Sequence, residues 1–479
     1  MILHKKKVLF IITGVIVLVV LAGILALLLS IQAFKPQIET AASTALGMDV
    51  RIKGSIGIAL FPVLGLSLKD VNVQNNGLDV VTIEKMRIGL KLLPLARFEI
   101  KIIQIELVRP VFSIVRSKNG IFNFENPGRT SWGKLFTMKK ISIAQGSLVY
   151  SDETSSEKIE VDDLDLSIRN LFFSGTDSLE PFKNISFTGD TRCKTLKIYN
   201  FTLMDLVMSA TGEKGILDIN PVSINIFGGT GNGSIHLDLT GPLPHYRVIY
   251  SLNRVRIEDL LELYSLKKIP PKTIEGPINF SADLTAMGRS ADEAKRSLNG
   301  DLSLNGENLM LYSIDIDAFI MKYERSQNFN LVDLAAFLLA GPIGPVLTKS
   351  YNFARLLEES QGGKGIVRKL VSVWKVKNGI AEARDVALAS KNQRIAMTGG
   401  LNFINERFVD VTVAALDKRG CAVYSEKVHG PFREPQIEKE SVFRSIAGSV
   451  LNPLGDAWKF LQGQECTVFY SGSVAQPEG

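Results

Sequence analysis

The chain reads as a single N-terminal transmembrane helix followed by a mainly antiparallel β body, with several helices added in its C-terminal half. Three observations point there. An uncharged run of 24 residues, Val8 to Ile31, follows Lys5-Lys6-Lys7. Short segments of apolar–polar alternation dominate the chain beyond that run. From about residue 48 to about residue 255, hardly any segment has the length and period of an amphipathic helix.

The first element is the anchor. A helix over residues 8–31 would measure about 36 Å, enough for a hydrocarbon core of about 30 Å. The run is longer than a secretory apolar region, and Leu27-Leu28-Leu29-Ser30-Ile31 offers no small-residue cleavage site. An uncleaved span is therefore expected. Three lysines before it and only Lys35 shortly after it place the N-terminus in the cytoplasm and the body on the far side.

A short helix is expected from Lys35 to Leu46, with Pro36 in its first turn and Gly47 as its C-terminal cap. Strands come next. Val50 and Ile52 alternate with Asp49, Arg51 and Lys53. Met86, Ile88, Leu90 and Leu92 alternate with Lys85, Arg87, Gly89 and Lys91, while Ile103, Ile105 and Leu107 flank Gln104 and Glu106. Ile159 and Val161 form one run, and Leu164, Leu166 and Ile168 form the next. Such a period-two pattern marks an antiparallel sheet wetted on one side. Its other face needs cover, because apolar area left in water costs about 25 cal/mol per Å². Two arrangements satisfy that need: a second sheet packed on the first, or a curled sheet whose inner face holds something other than protein.

The second half mixes strands with helices. Residues 257–268 read as a helix stopped by Pro270-Pro271, and Ser290 with Glu293 forms a capping box opening another. Leu331–Ala340 is an apolar helix, and a last one is expected from Val442 to Leu461. The expected divisions are 1–33 for the stub and anchor, 34–200 for the first β region, 201–300 for a middle β region with short helices, and 301–479 for an α+β region.

Composition and motifs exclude several classes. A net charge of +6 without clustered basic residues and interleaved aromatics gives no nucleic-acid footprint. The chain has no H-E-x-x-H, no G-x-x-x-x-G-K-[ST] and no G-x-S-x-G. His236, His245 and His429 are not spaced as metal ligands, and Gly228 to Gly233 joins strand-like segments rather than opening a helix. No catalytic residue, metal site or cofactor is expected, and the role is read as non-enzymatic. Lys139-Lys140 reads as a solvated strand edge.

The chain resembles the AsmA family of inner-membrane-anchored periplasmic proteins. The resemblance is carried by the anchor followed by Lys35-Pro36-Gln37-Ile38-Glu39, then Leu46-Gly47 and the stretch Val50 to Ile56. Further along come Phe61-Pro62, the stretch Leu68 to Val73, Arg109-Pro110, Gly120, Phe122, Asn123 and the stretch Leu298 to Gly306. The resemblance implies a curled open sheet, a taco-like groove related to chorein-type lipid-transfer proteins. It implies phospholipid as the ligand, the bacterial inner membrane as the anchor site through residues 8–31, and a body in the periplasm supporting outer-membrane biogenesis. A scaffold or assembly factor for outer-membrane proteins, with an envelope protein as partner, is the alternative.

On this reading the acyl-contact candidates are the apolar halves of the alternating strands: Val50, Ile52, Met86, Ile88, Leu90, Ile103, Ile105 and Leu107. The other reading of the same residues is ordinary sandwich core. In an oxidising periplasm Cys421 and Cys466 are expected to pair, with two free buried thiols as the alternative. Cys193 has no partner in sight.

Overall fold

The computed structural model describes residues 31–59, 64–91, 101–125, 136–155, 157–173, 181–198, 201–264, 274–312, 315–326, 363–440 and 467–477, with residues 94, 99 and 331. The anchor up to residue 30, Phe61-Pro62, Leu92, most of the 331–340 helix, the 442–461 helix and Cys466 lie outside the described residues. Among the described residues, no helix is long and apolar enough to cross a membrane. The chain divides into two compact units, Met1–Gly215 and Ile216–Gly479.

The first unit opens with helix α1 (Lys35–Leu46), which carries Pro36 in its first turn. Gly47 caps it at φ 70°, donating its N–H to Ser43 O at 2.8 Å. Nine strands come after it: β1 (Asp49–Ile52), β2 (Ile56–Ala59), β3 (Gly65–Asn75), β4 (Leu78–Leu90), β5 (Ile102–Arg116), β6 (Phe136–Asp152), β7 (Glu157–Phe173), β8 (Ile185–Ile198) and β9 (Phe201–Glu213). Strands β1 and β2 both pair with β3, and from β3 to β9 each strand pairs with the next. All pairings are antiparallel except β5–β6. That parallel step needs a long return from one end of the sheet to the other, and residues 117–135 supply it. Within the unit the ladder does not close on itself.

A small closed core lies at the start of this sheet. Val50, Ile52, Ile56, Leu68, Val71, Val73 and Ile83 are buried there, with Ile38 and Ala42 of α1 packed on them. The helix also covers the edge of β1: Val50 N donates to Ser43 Oγ at 2.9 Å and Ile52 N to Glu39 Oε1 at 2.6 Å. Such covering keeps an edge strand from pairing elsewhere.

From β3 onward every strand carries a one-residue slip near its middle. Inward residues run 66 and 68 then 71 and 73 in β3, 105 and 107 then 110 and 112 in β5, 141 and 143 then 146 and 148 in β6, and 159 and 161 then 164 and 166 in β7. The residue at the slip is left-handed in five of these strands, namely Asp70, Arg109, Gln145, Asp163 and Asp205, with φ between 47° and 53°. Asp tolerates this conformation better than most side chains. Neighbouring strands slip at matching positions, so pairing resumes in the same register across β3–β4, β4–β5, β5–β6, β7–β8 and β8–β9, and each slip bends its strand. Register stacks the bends at one level across the sheet, so they form a crease.

The second unit contains β10 (Ile216–Ile226), β11 (Gly229–Asp238), β12 (His245–Arg256), β13 (Ile274–Glu275), β14 (Pro277–Met287), β15 (Asn299–Tyr312), β16 (Lys364–Lys377), β17 (Ile380–Ala389), β18 (Arg394–Asn402), β19 (Arg407–Leu416), β20 (Ala422–Pro431) and β21 (Gln436–Glu440). The ladder runs antiparallel from β10 to β12, skips to β14, and continues to β21, while β13 pairs with β15. Helices α2 (Ile257–Tyr264), α3 (Ala291–Arg296) and α4 (Ile316–Ser326) are short. Ser290 Oγ accepts from Glu293 N at 3.2 Å at the start of α3. The glycine-rich stretch makes the β10–β11 hairpin, with Phe227 and Gly228 at φ 49° and 72°.

This unit has a large closed core. Ile257 of α2, Ile316, Phe319 and Ile320 of α4, and Leu331 cover Leu304, Leu309, Trp374, Val376, Leu388 and Ile395. The opposite face of β16–β19 is covered by residues 467–477. There Tyr470 and Val474 pack on Ala387, Ala389, Ala396 and Ala414. Arg394 ties this segment down, donating to Val474 O at 3.1 Å while its guanidinium stacks over the Tyr470 ring.

Candidate functional site

The register of β4 to β9 assembles five apolar rows on one face of the first unit. One row runs Ile88, Ile105, Ile141, Ile168, Gly189 and Ala210. The next runs Met86, Leu107, Ile143, Leu166, Thr191 and Met208. Beyond the crease lie Pro110, Gly146, Leu164, Cys193 and Leu206, then Phe112, Leu148, Val161, Leu196 and Leu203. The last row is Ile114, Tyr150, Ile159, Ile198 and Phe201. Pro110, Gly146 and Cys193 at the crease are buried, as is Gly189; every other residue of these rows is half-buried, unlike the core under α1. The slips keep these rows on one face, because without them each strand would turn its second half outward.

The other face is polar and laced with ion pairs. Arg87 meets Glu106 at 2.9 Å and Arg169 meets Asp190 at 2.6 Å, while Ser209 Oγ also donates to Asp190. At the crease, Arg109 pairs with Glu84 at 2.6 Å and Gln145 N donates to Asp165 Oδ1 at 3.0 Å. A shallow cleft of about 300 Å³ lies here, lined by Lys53, Asp70, Asn72, Thr82, Glu84 and Arg109.

The return loop after β5 is pinned by amides. Asn123 Oδ1 accepts from Val115 N at 3.0 Å, and its Nδ2 donates to Ser113 O at 2.7 Å. Asn75 Nδ2 donates to Asn123 O at 2.9 Å. At the same end, Arg116 pairs with buried Asp152 at 3.1 Å. The Thr154 N–H and that guanidinium hold the Asp152 carboxyl down at about 2.

The structure separates the eight expected contact positions. Val50 and Ile52, 5% and 1% exposed, belong to the closed core beneath α1 and present no open surface. This is the protein-core reading of these two residues: β1 is an edge strand, and the helix lies over it. Met86, Ile88 and Leu107 are half-buried and pack at the margin of that core, and Ile105 continues their rows. Leu90 and Ile103 sit at the irregular β4–β5 end, where the register slips between Gly89 and Leu90. Most of the face lies on β6 to β9, which the expected set left out. The runs Ile141–Ile143 and Leu203–Leu206–Met208 carried the signal.

Cys421 is disulfide-bonded, and Cys466, its expected partner, lies outside the described residues. Cys193 is a free buried thiol, its titration pushed up by burial. Among the described residues, no group of three or more His, Cys, Asp or Glu is placed to hold a metal ion.

A model of the AsmA family matches residues 4–201 and 184–337, more than half of the chain. No curated protein and no solved structure matches it.

Proposed function

Because this chain belongs to the AsmA family, we propose that its first unit shields phospholipid acyl chains on the open apolar face of β5–β9 and moves them without a chemical step. Residues 8–31 hold it in the bacterial inner membrane, with the body in the periplasm, and the work supports outer-membrane biogenesis. The observation that carries this reading is the set of largely half-buried apolar rows on either side of the crease, set against a closed core elsewhere in the same unit. Half-exposed Ile, Leu and Phe repeated from strand to strand are costly in water. An acyl chain satisfies them without hydrogen-bond geometry, so it can slide from row to row.

The test is the lipid content of the full-length chain. Extracted in mild detergent and weighed by native mass spectrometry, it is expected to carry co-purified phospholipid. Ile143→Asp with Leu166→Asp, a charge pair in one row, should release that lipid. A chain that carries none before mutation defeats the reading.

A further inference from the structure

The two ends of the β4–β7 strands differ in charge. At one end lie Lys91, Lys101, Lys139 and Lys140, brought together because Leu90 faces Ile102 and Gln104 faces Lys140. Lys91 N donates to Lys101 O at 2.9 Å across that end. Lys101 shares its charge with Glu99, whereas among the described residues Lys91, Lys139 and Lys140 form no ion pair. At the other end Arg116 faces Asp152 and Asp152 faces Glu157, with Glu153 beside them, leaving a net negative rim. Lys139 is exposed two residues before Ile141, opposite left-handed Asn170, where the strand phase changes again and buried Met138 takes the inward place, so the lysines stand at the end of the apolar rows rather than within them.

From this we propose, resting on the lipid reading above, that the basic rim seats the phosphate of anionic phospholipids, with their acyl chains laid down from Lys139 along Ile141 and Ile143. The acidic rim repels the same headgroup, so the lipid lies in one orientation across the crease. Headgroup selection then belongs to Lys91, Lys139 and Lys140, and chain shielding to the rows below them. A cation near an anionic headgroup raises retention by about fivefold per lysine.

The experiment offers the full-length chain in mild detergent three probes of matched acyl chains: phosphatidylglycerol, phosphatidylcholine and diacylglycerol. Bound lipid is counted by native mass spectrometry. The wild-type chain should hold phosphatidylglycerol in preference to phosphatidylcholine. Lys139→Glu with Lys140→Glu should lower phosphatidylglycerol by about tenfold or more and leave diacylglycerol unchanged. Lys139→Arg with Lys140→Arg should restore it, and Glu153→Lys with Glu157→Lys should not lower it. If the glutamate pair loses diacylglycerol as well, Lys139→Gln with Lys140→Gln decides: the proposal stands only if that pair loses phosphatidylglycerol and keeps diacylglycerol. Equal retention of all three lipids by wild type and the lysine variants overturns the rim alone. A wild-type chain that holds none of the three overturns the lipid reading itself.

Discussion

Truncation at two isoleucines of the same unit separates an open face from a core. Ile52 is 1% exposed beneath α1, and Ile143 is half-buried in the second row. Alanine removes three carbons from each, or about 2.4 kcal/mol at about 0.8 kcal/mol per fully buried methylene-sized group. At Ile52 the hole left behind has helix on one side and sheet on the other, and the cavity brings the cost to about 3–4 kcal/mol. Among the described residues no lid of protein lies over Ile143, so solvent or lipid fills the space and only the partial transfer loss remains, about 1–2 kcal/mol. The assay is amide hydrogen exchange on the full chain in lipid nanodiscs, reading opening free energies for β1 and β3 in one variant and β5 to β7 in the other. Costs that are equal, or larger for Ile143→Ala, would refute the claim that the face lacks a protein cover.

Three further outcomes rest on particular contacts. Asn123→Ala removes its side-chain bonds to Val115 N and Ser113 O. It should cost about 1–3 kcal/mol, seen as faster exchange at the Val115 amide. Asp152 titrates below its ordinary range, so its contribution is complete above the unfolded value of about 4 and disappears as pH falls toward about 2. Asp152→Asn should therefore flatten that stretch of an acid-unfolding curve and leave the neutral limb parallel to wild type. Reduction, or Cys421→Ser, should loosen residues 467–477 and speed their cleavage by added protease, while Cys193 stays unlabelled by maleimide until the strands of unit one open.

Much of the architecture could be read from periodicity. Alternation located β1, the second half of β4 and the start of β5. Capping chemistry located α1 and α3 through Gly47 and Ser290. The crease was also visible, though not as one feature: Ile159-Val161 and Leu164-Leu166-Ile168 are two runs in sequence and one strand in space, joined by left-handed Asp163. Alternation alone treats such a phase change as a boundary, whereas the strand takes it up at one left-handed residue and continues. The parallel β5–β6 step had no local signature, since its partners are chosen by where the return loop ends. That a helix covers Val50 and Ile52 was equally hidden. Helix α1 has only Ile38, Ala42 and a few small residues toward the sheet, too weak a stripe to announce what it covers. The open face itself followed from an absence of covering helices, but its extent depended on the strand register.

Because the phase change recurs at one level from β3 to β9, no strand in this series is special in its bending. An inserted hairpin of the same pattern would fit between existing neighbours and lengthen the assembly by about 9.6 Å, two inter-strand spacings. Reach is therefore a quantity that duplication can alter one hairpin at a time, leaving the width of the trough and the chemistry of its margins as they were.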